Sequence, residues 1–331
     1  MRFRTIYEPV KADFTLTPEQ PVALLGSCFS ENIAARMCKA LWRAANPLGT
    51  LYNPVSIARA VELTLILQEK EAIDAFSRSL FEGNDKKIHS WLFDSSFSAA
   101  SGRECIDRFM NVRGLMSEIS DAASAIFITL GTAHCYHLLS HTGEEDSPLS
   151  CGIVANCHKQ PADLFSRSRL SVEEAASALS GLADKIHLRY PDMRIVFTLS
   201  PVRHLRDGFI GNRLSKATLM LAIEEAALSS PLISYFPAYE ILNDDLRDYR
   251  FYASDLLHPS EEGVEYIWEF FKATYLDCSG EALLKEGERL LRRLEHRPLI
   301  ASPEEREHEE KEAMTRINEF LALHPGMCLP K

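Results

Sequence analysis

The 331-residue chain lacks most of the features that would announce a function by themselves. Basic residues are in deficit: 36 Lys and Arg face 47 Asp and Glu, a formal net charge of -11. Phosphate backbones are bound by clustered Lys and Arg, so nucleic acid is not expected as a partner. No apolar run approaches the roughly 18 residues of a membrane helix, so no span is expected. The basic opening MRFRTIYEPVKADF is followed by no apolar core. It therefore does not read as a secretory signal, and a cytoplasmic protein is expected. The eight cysteines form no C-x-x-C pair. A cysteine zinc site is not expected, and free thiols suit a chain without an export signal. G-x-G-x-x-G is absent, which removes the usual dinucleotide fingerprint, and no cofactor is indicated. Repeats and low-complexity segments are absent too. With 46% hydrophobic and 25% charged residues the composition is that of an ordinary globular chain, so disorder is not indicated.

What is present begins with PVALLGSCFSENIAARM, residues 21–37. The apolar run Pro21–Leu25 reads as a buried strand ended by Gly26, and a helical pattern starts within three residues. Ser27 and Cys28 fall between them, at the carboxyl end of a strand and the amino end of a helix. Open α/β sheets build their sites at that junction. Unpartnered N–H groups and the helix dipole favour negative charge there, so the Cys28 thiol is expected to ionise more easily than a free cysteine. The alternative is a small cysteine buried in a tight turn.

Further apolar runs at 124–131, 194–201 and 232–237 read as strands. Helices are expected over 30–42, from Pro54 to about 80 with Asn53 as cap, and over 104–120, 171–189, 213–228 and 261–274. Residues 81–103 read as loop, and 135–161 as a β-hairpin or an irregular excursion. Short buried strands alternating with longer helices predict a mostly parallel sheet covered on both faces. From about 280 the chain becomes highly charged with a helical period. Two helices joined around Pro298 are expected there, so residues 1–278 form the main domain and 279–331 a C-terminal helical extension.

Chemistry-bearing residues reappear in DYRFYASDLLHPSEEG, between the last strand and the last core helix. Asp255 and His258 are three apart. That spacing lets the carboxylate accept from one imidazole nitrogen, which fixes the tautomer and leaves the other nitrogen free. An Asp capping a turn beside a surface His has the same spacing. Pairing with a nucleophile-type residue on the first strand strengthens the functional reading.

These residues also carry a resemblance. LLGSCFSEN at 24–32 is similar in register to the G-D-S-L segment of SGNH (GDSL-type) hydrolases, and Asp255, His258 and Pro259 match that superfamily's closing D-x-x-H-P. More closely, the chain resembles GSCFA-domain proteins through GSCFS (26–30), NPLGTLYNPVSI (46–57), TLGTAHCY (129–136) and NCHKQP (156–161). TLSPVRH (198–204), YFPAYEI (235–241) and LRDYRFYASDLLHP (246–259) extend the match over roughly 20–275. The resemblance implies a flavodoxin-like three-layer α/β/α sandwich. It implies an SGNH-like hydrolase or acyltransferase acting on an ester or thioester of a small-molecule or glycan-linked acyl substrate. Carried over by position, the nucleophile falls on Cys28 and the preceding Asp on Ser27. The oxyanion glycine falls on Gly49, with the Cys28 N–H as the second donor. The Gly-x-Asn block falls on Gly131, Thr132 and Ala133, and the catalytic Asp and His on Asp255 and His258. Two departures stand out: cysteine for serine, which acyl transfer tolerates, and Ala133 for asparagine, which removes a side-chain donor worth roughly 3 kcal/mol. His134, Asn156 or His158 could take that donor's place, and Ser27 could be the nucleophile if the turn is shifted by one residue. A non-catalytic or carbohydrate-binding relative that kept the fold is the alternative.

Arg203 and His204, after the 194–201 run, are expected at the same sheet edge, where a guanidinium could hold a substrate carboxylate or phosphate. A salt bridge from Arg203 to Glu240, Asp244 or Asp248 is the structural alternative. His89, His134, His137, His141 and His158 lack helical H-x-x-x-H spacing, so no metal site is expected.

Overall fold

The computed structural model describes residues 5–139, 152–295 and 303–330. Its centre is a five-stranded sheet. Strand β1 (Val22–Gly26) leads into helix α1 (Cys28–Lys39), which starts at Cys28 itself, earlier than the apolar pattern indicates. The Ser27 hydroxyl accepts from the Phe29 N–H and caps α1 at its first turn. The two-residue strand β2 (Ala44–Ala45), too short to leave a sequence signal, follows.

Helix α2 (Pro54–Val61) is capped by Asn53, whose Oδ1 accepts from Ser56 N at 2.8 Å. The helix expected to reach residue 80 is instead interrupted. A π-helical turn over Glu62–Ile66 and extended backbone at Leu67 separate it from α3 (Glu69–Arg78). Arg113 donates to the Leu63 and Leu67 carbonyls and Arg189 to that of Leu65, so side chains from other helices hold the break. The expected loop at 81–103 contains an antiparallel hairpin, β3 (Leu80–Glu82) with β4 (Ile88–Ser90).

After α4 (Gly102–Ala122) come β5 (Ala125–Leu130) and the excursion, an antiparallel sheet. In it β6 (His134–Leu138) pairs with both β7 (Ile153–Val154) and β8 (Phe165–Arg169). Helix α5 (Val172–Arg189) opens on a capping box of Ser171 and Glu174. Then follow β9 (Arg194–Leu199), α6 (Gly208–Ser229), β10 (Ile233–Phe236), the short α7 (Ala238–Glu240) and α8 (Glu261–Tyr275).

The central sheet runs β10-β9-β5-β1-β2, every pair parallel. In chain order this is the flavodoxin-like 2-1-3-4-5 arrangement, with its switch point between β1 and β5. Side chains alternate between faces. Ala23 and Leu25 join the core under α2, α4, α5 and α6, while Val22 and Leu24 join the core formed with α1 and α8. A three-layer α/β/α sandwich results.

The carboxyl-terminal helices α9 (Cys278–Glu295) and α10 (Pro303–Leu323) pack on the α1 side. Pro298, expected at their junction, lies outside the described residues. Leu284 of α9 belongs to the α1–α8 core, and Leu290 and Leu291 meet Ile317, Phe320 and Leu41 in a third cluster. A Cβ on Gly287 would stand 2.2 Å from the Ala40 carbonyl, so α9 approaches the end of α1 as closely as only glycine permits. Among the described residues no helix is long and apolar enough to cross a membrane.

Candidate active site

The switch point is closed tightly. Gly26 has φ +108°, and a Cβ there would lie 2.1 Å from the Thr129 carbonyl at the end of β5. Ser27 N–H donates to that carbonyl at 3.1 Å. Ser30 Oγ donates to Leu25 O at 2.8 Å and shares a hydrogen bond with Thr129 Oγ1 at 2.7 Å, tying the first turn of α1 to both strands. Ser27 is 1% exposed and occupied as a cap, whereas Cys28 is only partly buried. Of the two candidate nucleophiles, Cys28 is therefore the accessible one.

The Cys28 thiol is not acidic, contrary to the expectation from its place on the helix. Burial pushes its pKa up, and the Glu31 carboxylate, one turn along α1, adds to the rise. The backbone N–H groups of Cys28 and Phe29 and the charge of Lys216 pull the other way without overcoming it. Losing water costs the thiolate more than a helix start returns.

Asp255 and His258 do meet. His258 Nδ1 lies 2.5 Å from Asp255 Oδ2, and Asp255 Oδ1 accepts from the backbone N–H groups of Leu257 (2.9 Å) and His258 (3.0 Å). Those backbone bonds, and then the imidazole, hold the Asp255 carboxyl down at about 2. The Asp therefore stays anionic, Nδ1 carries the proton facing it, and Nε2 has no partner among the described residues. Both side chains are about half exposed. The loop sits directly before α8, and Arg36 of α1 bonds Glu261 in the first turn of α8 at 2.6 Å, linking the two helices.

One further group at the carboxyl edge was not singled out by any motif. Lys216, on the third turn of α6, is 4% exposed. Its Nζ donates to Gly131 O at 2.8 Å, just past β5, and to Ser200 O at 2.7 Å, just past β9. Burial brings its pKa down to about 7, against the pull of Glu240 and Cys28. His204 follows β9 as expected. Its ring meets Tyr52 edge-on at 5.7 Å, and its buried Nε2 has no hydrogen-bond partner among the described residues. Burial, with Lys216, Arg167 and His258 nearby, lowers it to about 4, so it is neutral at pH 7. A lysine within a covering helix has no local signature, so only the sheet's geometry reveals Lys216.

Gly49 has φ +67°, its N–H faces Asn46 O at 3.4 Å, and a Cβ there would meet the Asp94 carboxylate at 2.6 Å. Glu31, Asn46, Gly49 and Asp94 line one cleft. The Gly131 and Thr132 N–H groups both go to Tyr52 O, and Ala133 N–H goes to Ser215 Oγ at 2.8 Å. That block supports the chain rather than facing outward.

His158 Nε2–H donates to Ser90 O (2.8 Å) and Phe93 O (3.1 Å), and Asn156 Oδ1 accepts from His158 N–H. With the His89 ring tilted against His158, centroids 4.6 Å apart, this pair braces the β3–β4 hairpin. His134 sits 3.5 Å from Asp207, itself bound by Arg167, and burial lowers the imidazole's pKa. Arg203 donates to Asn243 Oδ1 at 3.0 Å and lies over Tyr252; among the described residues it makes no salt bridge to Glu240, Asp244 or Asp248. His141 lies outside the described residues. Among those described, no three His, Cys, Asp or Glu are placed to hold a metal ion.

No curated protein matches the chain. The GSCFA family model matches residues 21–271, from β1 through most of α8, which includes Cys28, Lys216, Asp255 and His258. By that match, over the whole sandwich, the chain belongs to the GSCFA family.

Proposed function

We propose that this protein is an acyl-transfer enzyme, a hydrolase or acyltransferase acting on an ester or thioester. The observation that carries the reading is the Asp255–His258 pair at 2.5 Å with a free imidazole Nε2, on a fold whose switch-point helix begins at an accessible cysteine. Cys28 attacks the acyl carbonyl and gives its proton to His258 Nε2. His258 then returns it to the leaving oxygen or sulfur. Water or an acceptor alcohol, deprotonated by the same nitrogen, releases the acyl group and frees the thiol. Asp255 stays ionised throughout and stabilises the imidazolium. The raised thiol pKa makes such a base necessary, because little thiolate stands ready at neutral pH. The Cys28 N–H is the first oxyanion donor. Gly49 N–H joins it on leaving Asn46 O.

One observation favours a second reading, a relative that kept the fold without the chemistry: the N–H groups of Gly131–Ala133 are all consumed internally. Electrophile labelling separates the two. Full-length protein is treated with an aryl ester and with iodoacetamide, and the modified residue is mapped by mass. Acylation of Cys28, lost in Cys28→Ala and slowed at least 100-fold in His258→Ala, is the expected result. Ester turnover unchanged in folded Cys28→Ala would overturn the assignment.

A further inference from the structure

A cleft of about 310 Å³ opens between the end of β9, helix α6 and the α7 turn. Three cations line it: Arg203, Arg213 and Lys216. None has a carboxylate within ion-pair distance among the described residues. Asn243 Oδ1 and the Tyr252 ring fix the Arg203 guanidinium, so it is held in place before any ligand arrives. Arg213 is exposed on α6. Lys216 is the unusual member. An ammonium has three N–H donors. Two go to Gly131 O and Ser200 O, and the third has no acceptor among the described residues, although the side chain is 4% exposed and lines the cleft. A buried ammonium without a counter-ion is costly, so this group releases its proton near pH 7; an incoming anion relieves that cost and favours the protonated form with its third donor.

Two carboxyl groups also line the cleft. Glu240 is engaged by the Tyr235 hydroxyl at 2.7 Å, and burial raises its pKa, which weakens its claim as the counter-ion. Asp244 is exposed at the rim. Cys28 is not among the lining residues; its link to the cleft runs through Lys216, whose charge acts on the thiol.

We infer that this cleft is an anion subsite that receives a carboxylate or phosphate carried by the acyl substrate, with Lys216 at its floor and Arg203 and Arg213 at its walls. The subsite stands on its own geometry; naming the anion as part of an acyl substrate rests on the reading of Cys28 as nucleophile. A planar fork such as Arg203 suits both anions, and the third Lys216 donor completes the shell.

Thermal unfolding of the full-length protein at pH 7 tests the subsite. Sodium phosphate and sodium succinate are titrated separately, with ionic strength held constant by sodium chloride. A saturable rise in midpoint with either anion supports the subsite, and the arm that responds identifies which anion it takes. Arg213→Met and Arg203→Met should each weaken the effect at least fivefold, while Arg289→Met, a distant residue paired to Glu286, should not. Arg213 is exposed, so its variant reads the site even if Arg203→Met fails to fold. No rise beyond the chloride control, or a rise unchanged in Arg213→Met, overturns the subsite.

The link to the substrate is read separately. Saturating anion should change the iodoacetamide alkylation rate of Cys28 at least twofold, and an unaltered rate detaches the cleft from the thiol. Anion binding should persist in Cys28→Ser. If it does while ester acylation of wild-type Cys28 is not found, the nucleophile reading fails and the subsite stands.

Discussion

At the scale of single residues, burial governs the site more than helix position does. Cys28 has the backbone N–H groups of a helix start, yet its thiol is pushed up by desolvation and by Glu31. Its alkylation by iodoacetamide should therefore be slower than that of free cysteine at pH 7 and still rising above pH 9. A rate that levels off below pH 8 would show that the helix start and Lys216 prevail after all. Lys216 yields the opposite kind of dependence. Its folded pKa of about 7 lies below the ordinary lysine value of about 10.5. Between those values the unfolded chain holds the extra proton, so this group makes stability rise with pH from about 7 to 10.5. Groups facing it include Cys28, Glu240 and the Tyr239 ring. Lys216→Met should flatten that segment of the pH–stability profile in urea melts. An unchanged slope means Lys216 is not the group responsible.

At the scale of elements, the β1–α1 junction depends on one glycine. Gly26 combines φ +108° with a Cβ position 2.1 Å from a main-chain oxygen of β5, which no side chain can retreat from. Gly26→Ala should cost about 3 kcal/mol or more, through strain and through separation of β1 from β5. Chemical denaturation measures this directly, and a loss below about 1 kcal/mol would mean that the strands reseat easily.

Elements also show what a sequence reader can and cannot see. The central strands β1, β5, β9 and β10 and the helices α4, α5 and α8 are legible because a buried strand must be an unbroken apolar run and a covering helix must be amphipathic. The break at Leu67 is not legible. Residues 54–78 keep a helical apolar period across it, and arginines from α4 and α5 stabilise the interruption by taking its carbonyls. The β3–β4 hairpin escapes notice because its strands are three residues long, rich in polar groups, and held by contacts such as Ser79 with Ser90 and His89 with Ser98.

At the scale of the whole molecule, the final helices are an integral wall. Leu284 enters the α1–α8 core, Gly287 touches Ala40, and Cys328 N–H donates to Leu41 O at 3.0 Å. These contacts gather at the far end of α1, away from Cys28 at its start. Ending the chain at residue 278 removes several buried leucines worth about 1.5–3 kcal/mol each, so the midpoint should fall markedly and aggregation increase. The fraction that still unfolds cooperatively should keep the Cys28 alkylation rate. Loss of labelling in that fraction would show that α9 and α10 shape the site.

The sequence alone determined the layered α/β class, the strand–Gly–Ser–Cys–helix junction and the Asp255–His258 spacing. Each is local, a matter of apolar period, turn chemistry or a three-residue step that survives in the primary structure. The strand order, with its switch point beside Cys28, was decided by packing between segments about 100 residues apart. So was the place of Lys216, which reaches from α6 to carbonyls of two strands. Cys28 acidity was decided there too: a helix start is written in the chain, but the amount of water left around a thiol is known only once the sheet and its covering layers have closed over it.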